Sequence, residues 1–377
     1  MKRLILLLAV ASVASCIYPY TPELDSTGGR TIVIDGQIYV GSTSIVKLSY
    51  VQPITTLGSG AGAPNGTARI EGSDGSVYKP KSNTPVDVIY IPTEKAGYDN
   101  QYRLVVEAEG HVYVSDWIEP LKPPTITGVR FDADDDNVYV LASVKAGEDD
   151  TGFIGFTSEE TWQFHSEFKV DIIITPGEWR YTNLAMLDYD YPYYWCWQTH
   201  SNNTLKPVDH RYLGGYTFEN MLIQTFPRTS NRNHKKYSIL VKASTLSEKA
   251  YSYNRHIQDQ ESSGSDLFTP TPGMMPGNIR CESDESRQVY GLVTAGGTAT
   301  YRAWLDDRYY IAPKEDLGKL YFVSPDQYDY YYNTVNARPV KYVTIDGVFD
   351  VGWGAHRCIN CIEAGGTQEK PDFWTYE

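Results

Sequence analysis

The feature that most restricts the fold is an alternation of apolar and polar residues with a period of two, cut at intervals by turn dipeptides. Thr31-Ile32-Val33-Ile34-Asp35-Gly36-Gln37-Ile38-Tyr39-Val40 is β-branched and partly alternating, and residues 44–51 alternate again through Ile45, Val46, Leu48 and Tyr50. Successive strand side chains point to opposite faces, so this pattern belongs to a half-buried strand and not to a helix. Asp74-Gly75, between 68–71 and 76–79, and Glu109-Gly110, between 102–108 and 111–117, are turn pairs that predict hairpins. Residues 86–91 add a further strand. Strands at this spacing predict an immunoglobulin- or transthyretin-like β-sandwich over residues 30–121. The tyrosine content, 31 of 377 residues, suits pleated, half-buried surfaces.

Pro120-Leu121-Lys122-Pro123-Pro124 is stiff and extended and marks a boundary. Beyond it, residues 125–377 read as a larger β-rich domain with one main helix. Strands are predicted at 125–131 and 138–144, joined by an acidic turn, and at 153–156, 161–174 and 239–243. Thr245-Leu246-Ser247-Glu248 has the form of a capping box and predicts a helix over 246–260, with Leu246, Ala250, Tyr253 and Ile257 at helical spacing. Residues 262–278 and 58–66 read as Pro/Gly-rich loops, and Gly296-Gly297 predicts a hairpin between 288–295 and 298–305. The fold class is therefore mainly β.

The first fifteen residues read as a leader. Lys2 and Arg3 give a positive start, residues 4–10 a short apolar core, and Val13-Ala14-Ser15-Cys16 resembles the bacterial lipobox, in which the cysteine is acylated and becomes the first mature residue. No later apolar run is long enough to span a bilayer, so the lipid on Cys16 is the expected anchor, with residues 16–29 as a tether. Ile17 follows the cysteine where an Asp would favour inner-membrane retention, so the outer membrane is expected, on its periplasmic or outer face. Net charge is −14, and loss of Lys2 and Arg3 takes it to −16, which argues against nucleic acid as a partner.

Four cysteines remain: Cys196, Cys281, Cys358 and Cys361. An even number in an exported chain predicts two disulfides. The short spacing favours a Cys358–Cys361 clip with a long Cys196–Cys281 bridge, and a crossed pairing onto the tail stays open. Zinc is the rival, but a second C-x-x-C or an H-x-x-x-H is missing.

Asp132, Asp134 and Asp136 have the spacing that lets three carboxylates face one calcium ion. Asn137 and Ser143 stand where an EF-hand needs its Gly and its Glu, so the alternatives are a simpler calcium site or a solvated hairpin turn. No other cofactor is expected. Asp149-Asp150, Glu159-Glu160 and His165 are the acid and base candidates for a glycan- or peptide-directed hydrolase. Adjacent Glu159 and Glu160 would point to opposite faces of a strand, and no G-x-S-x-G, H-E-x-x-H or phosphate loop is present. Two aromatic runs are candidates for a binding surface or for core: Tyr191, Tyr193, Tyr194, Trp195 and Trp197, then Tyr330, Tyr331 and Tyr332.

Several landmarks together resemble a lipoprotein family of the Bacteroidetes known as domain of unknown function 4249. They are the leader ending in Cys16 with Thr31-Ile32-Val33-Ile34-Asp35-Gly36-Gln37-Ile38, and Glu160-Thr161-Trp162. Further along come Tyr237-Ser238-Ile239-Leu240-Val241-Lys242 leading into Ser247-Glu248-Lys249-Ala250-Tyr251, and Pro276-Gly277-Asn278-Ile279. Last are Cys358-Ile359-Asn360-Cys361, Gly365-Gly366-Thr367 and Lys370-Pro371-Asp372-Phe373-Trp374. The resemblance implies an outer-membrane lipoprotein, often beside a TonB-dependent transporter, and carries no catalytic residues. The expected function is a non-enzymatic, lipid-anchored accessory that binds a ligand or docks on the transporter. The alternatives are the hydrolase and a structural envelope or adhesion protein.

Overall fold

The computed structural model describes residues 31–51, 63–187, 190–214, 216–263, 276–312, 317–345 and 347–375. Cys16, the leader, the tether, most of the 58–66 loop and most of the 262–278 loop lie outside the described residues.

The chain is mainly β. Strands β1 (Ile32–Tyr39), β2 (Thr43–Tyr50), β3 (Gly66–Gly72), β4 (Val77–Tyr78), β5 (Val88–Pro92), β6 (Tyr102–Ala108) and β7 (His111–Ser115) form an immunoglobulin-like sandwich. One sheet contains β1-β2-β5 and the other β7-β6-β3-β4. The alternation in the sequence is the alternation in burial: Ile32, Ile34, Ile38, Val46 and Leu48 are buried, and meet Ile70, Tyr102, Leu104 and Val106 of the facing sheet. Burial of each such side chain stabilises the fold by about 1.5–3 kcal/mol. Both predicted hairpins form; at the β6–β7 turn Glu109 and Gly110 have φ of 51° and 77°, the left-handed pair of a type I′ turn.

The second sandwich is built from β8 (Thr125–Ala133), β9 (Asn137–Lys145), β10 (Phe153–His165), β13 (Trp195–Asp209), β14 (Thr217–Pro227), β15 (Lys236–Thr245) and, from much later, β19 (Ala299–Asp306). Its sheets run β13-β10-β15-β19 and β14-β9-β8. The sequence reading did not identify β13 and β14: β13 is polar along most of its length, with Thr199, His200 and Ser201 exposed, and the alternation of β14 is broken by register shifts after Phe218 and Leu222. Between β10 and β13 the hairpin β11 (Ile172–Thr175) and β12 (Arg180–Asn183) branches off. It packs on a third module, the sheet of β20 (Leu320–Phe322), β21 (Ala337–Ile345) and β22 (Val348–Ala355).

The helix runs Glu248–Ser263, and its start is one turn detail away from the capping-box expectation. Ser247 Oγ accepts from Ala250 N at 3.2 Å, so Ser247 is the cap, while Thr245 Oγ1 donates to Lys122 O at 2.8 Å.

The two-domain division at 121–125 needs correction. Strands β16 (Ile279–Cys281), β17 (Val289–Tyr290) and β18 (Val293–Gly296) return to the first sandwich. There β17 and β18 pair in parallel with β1, and β16 pairs antiparallel with β7. Cys281, Val293 and Ala295 sit in its core. Gly296-Gly297 is accordingly not a hairpin. It carries the chain from β18 in the first sandwich to β19 in the second. There it runs beside the outgoing Pro-rich crossing, with Leu121 N bonded to Ala295 O at 3.2 Å and Gly297 N to Leu121 O at 2.9 Å. Parallel pairing needs a long crossover, and here it runs through the rest of the first sandwich and all of the second except β19.

Candidate functional site

The acid and base candidates are pulled apart by the fold. On β10, Glu159 faces outward to Arg302 at 3.6 Å, and Glu160 faces into the second sandwich, where it is fully buried. Its Oε1 accepts from Gln224 Nε2 and its Oε2 from Arg232 Nε at 2.7 Å, and the Arg232 guanidinium lies 4.5 Å over the Trp162 ring. Burial, with the Glu160 charge behind it, pushes the Tyr237 hydroxyl well above its usual value. Asp149 accepts from Lys122 N at 2.8 Å, and Asp150 meets His210 Nε2 at 3.0 Å. His165 instead stacks on His234, ring centroids 4.0 Å apart, and on Tyr194 at 5.0 Å. Burial, then the neighbouring His165, holds His234 down at about 4. Glu160, His165 and the Asp149-Asp150 pair therefore do not converge into the arrangement the hydrolase reading requires.

In the β8–β9 turn, Asp134 accepts from the Tyr139 hydroxyl, from Asn137 N at 2.7 Å and from Asp136 N at 2.9 Å, which hold its carboxyl below the usual range. Asp132 is paired with Arg130 at 3.0 Å. Two of the three carboxylates of the candidate calcium site are thus engaged in the turn itself. Among the described residues no group of three His, Cys, Asp or Glu is placed to hold a metal ion.

The cysteines form one disulfide among the described residues, Cys196–Cys361, across 165 positions. This corrects the favoured Cys358–Cys361 and Cys196–Cys281 pairings. Cys281 is a buried free thiol in the first sandwich, and Cys358 is half-buried, its thiol pushed up by burial and then by Glu167. Cys361 N also bonds Tyr193 O at 3.0 Å, and Trp197 and Thr367 exchange backbone bonds at 2.8 Å. Gly366 is required here: a Cβ on it would lie 2.6 Å from Cys196 Cβ and 2.8 Å from Cys361 O.

One residue of each aromatic run, Tyr191 and Tyr332, meets at a single cleft. A half-enclosed cleft of about 260 Å³ is lined by Val170, Ile173, Ile174, Tyr191, Tyr332, Arg338, Pro339 and Ile359. Tyr191 comes from the segment that leads to Cys196, and Ile359 lies two residues before Cys361, so the disulfide ties two walls together. Tyr332 comes from the short helix Tyr328–Asn333. Arg338 and Pro339 stand where β21 shifts register against β22, between Pro339 and Lys341. Val340 O there accepts from Asp171 N at 2.7 Å, which docks the β11 lead-in beside the cleft. Arg338 Nη1 donates to Tyr332 O at 2.8 Å and Ala337 O at 2.9 Å, and the guanidinium lies 3.7 Å over the Tyr332 ring.

The other predicted aromatics divide between rim and interior. Tyr193 packs edge-on against Tyr191 and is 38% exposed; Tyr330 is 56% exposed, edge-on to Tyr331. Tyr331 packs on Tyr321, while Tyr194 and Trp195 pack on His165, and Trp197 is held by the Thr367 pairing. The sequence reading missed Arg338 and the aliphatic wall. The signal that was available is Pro339 inside a strand-like run, which marks a bulge or an edge.

The comparisons with known proteins add a family and little else. No curated protein matches the chain. A two-domain fibronectin type III segment from chicken tenascin is similar over 58% of this chain and 93% of that one, at 9% identity and a TM-score of 0.17. The profile of one family matches residues 17–302, well over half of the chain. The protein belongs to the family described as Domain of unknown function (DUF4249).

Proposed function

We propose that this protein is a non-enzymatic, lipid-anchored ligand-binding accessory of the outer membrane in a member of the Bacteroidetes, working beside a TonB-dependent transporter. The observation that carries the binding role is the cleft between Tyr191 and Tyr332. It is concave, mostly apolar, equipped with one guanidinium, and walled by segments that a disulfide holds together. Small-molecule sites have this composition, and pre-organised walls reduce the ordering cost of binding. The anchoring role rests on the leader and on Val13-Ala14-Ser15-Cys16. Among the described residues no helix is long and apolar enough to cross a membrane.

Mass spectrometry of the mature amino terminus tests the anchor: an acylated Cys16 is expected, and a free cysteine or cleavage elsewhere overturns it. Purification of the tagged chain from solubilised membranes tests the partner. A TonB-dependent barrel should co-purify, and recovery of no outer-membrane protein counts against the accessory role.

A further inference from the structure

We infer that the cleft selects small organic acids, a single carboxylate on a planar apolar body, with Arg338 as the group that receives the acid. The inference rests on the proposal that the cleft binds a ligand, and adds the chemistry of that ligand.

Acidic residues outnumber basic ones, 47 to 33, and the arginines are mostly neutralised in place. Arg69 and Arg103 share Glu71, Arg211 takes Asp209, Arg232 takes Glu160 and Arg287 takes Glu109. Arg338, like Arg228, bonds backbone carbonyls and no carboxylate among the described residues, and of the two it is Arg338 that lines the cleft. It is half-buried in an apolar wall, yet its hydrogen bonds among the described residues come from Nη1 alone and end on two backbone carbonyls. Those two bonds and the Tyr332 ring beneath it fix the plane of the guanidinium. Among the described residues its Nε and Nη2 donors have no acceptor. A half-buried cation without a counter-charge is costly, and a planar donor fork matches a carboxylate in geometry as well as in sign.

The remaining lining sets the rest of the ligand. Val170, Ile173, Ile174, Pro339 and Ile359 offer no charge, and Tyr191 adds an aromatic side chain to the lining. An apolar cavity of about 150 Å³ accommodates benzene, so a cleft of about 260 Å³ suits a body of one or two rings. The acid at one end and the apolar wall around the other define an aryl- or heteroaryl-carboxylate.

The test is isothermal titration of the full mature chain in detergent with phenylacetate, indole-3-acetate and 1-naphthoate, each beside its own amide. At least one acid should bind about ten-fold more tightly than its amide. Arg338→Gln should remove that preference, bringing the acid's affinity to that of its amide; Arg338→Lys, which keeps the charge and loses the fork, should fall between. Thermal midpoints of both variants check that they remain folded. Equal affinity for acids and amides overturns the acid selectivity and leaves a binding cleft standing. No binding by any of the six compounds overturns the cleft as a binding site and the inference with it.

Discussion

Glu160 shows what a charge does when no water reaches it. Its two oxygens are filled by Gln224 and Arg232, and the guanidinium is itself stacked on Trp162. Breaking a buried pair leaves an uncompensated charge and costs about 3–5 kcal/mol, whereas replacing both partners with apolar residues is often close to neutral. Arg232→Ala should therefore lower unfolding free energy by about 3–5 kcal/mol, measured in urea. The double variant Glu160→Leu/Arg232→Leu should lose much less than the sum of the two single changes; strict additivity would refute the pairing. His234 gives a pH dependence. Its folded value is held near 4, below the ordinary 6.5, by burial and by His165. Above 6.5 both folded and unfolded chains are neutral at this position. Between 6.5 and about 4 only the unfolded chain takes up the proton, so stability falls as pH drops through that window. Thermal midpoints from pH 7 to pH 4.5 should decline, and His234→Phe should flatten the decline. An unchanged slope in that variant would exclude His234 as its source.

At the scale of elements, the disulfide matters more for what it joins than for its own length. It links the start of β13 to the turn after β22, and so fixes Tyr191 against Ile359 across the cleft. Its loop spans 165 positions, and loss of such a bridge costs about 2–5 kcal/mol. Cys196→Ser with Cys361→Ser should destabilise the chain by that order and weaken ligand binding at temperatures where the protein is still folded. Unaltered affinity would show that the walls hold without the bridge. The family landmarks belong to the same scale. Asn278 bonds both the N–H and the carbonyl of Val293 at 2.8 Å, as a neighbouring strand would. Asp35 and Gly36 receive the same returning segment at Leu292, Phe373 and Trp374 cover Arg302 and Trp304, and Gly366 seats the disulfide. Each marks a long-range junction, which gives these residue types a structural reason independent of any chemistry.

The whole molecule is interlocked. The first sandwich is completed by strands that leave it at 121 and return at 279, so β1 and β7 each depend on partners more than 150 residues away in sequence. A fragment of residues 31–124 loses those partners and the core positions Cys281, Val293 and Ala295. It exposes two strand edges, which are templates for aggregation. That fragment should fail to give dispersed amide resonances and should elute as aggregate. The same fragment joined through a Gly/Ser linker to residues 276–297 should recover a folded spectrum. A well-dispersed spectrum from 31–124 alone would refute the interlock.

Readable in the sequence alone were the strand-built character, the hairpins of the first sandwich, the placing of Glu159 and Glu160 on opposite faces, and which aromatic runs were candidates for binding. All of these are written in local spacing, because side-chain direction along a strand alternates with the backbone. Tertiary structure decided the cysteine partners, the return of 279–296 to the first sandwich, and the meeting of Tyr191, Tyr332 and Arg338 around one cleft. Nothing local encodes those, since they depend on which surfaces bury one another after the strands have formed, and each joins segments more than 140 positions apart. Strands β13 and β14 belong with them: their place is fixed by pairing to β10 and β9, and neither carries an unbroken alternation of its own.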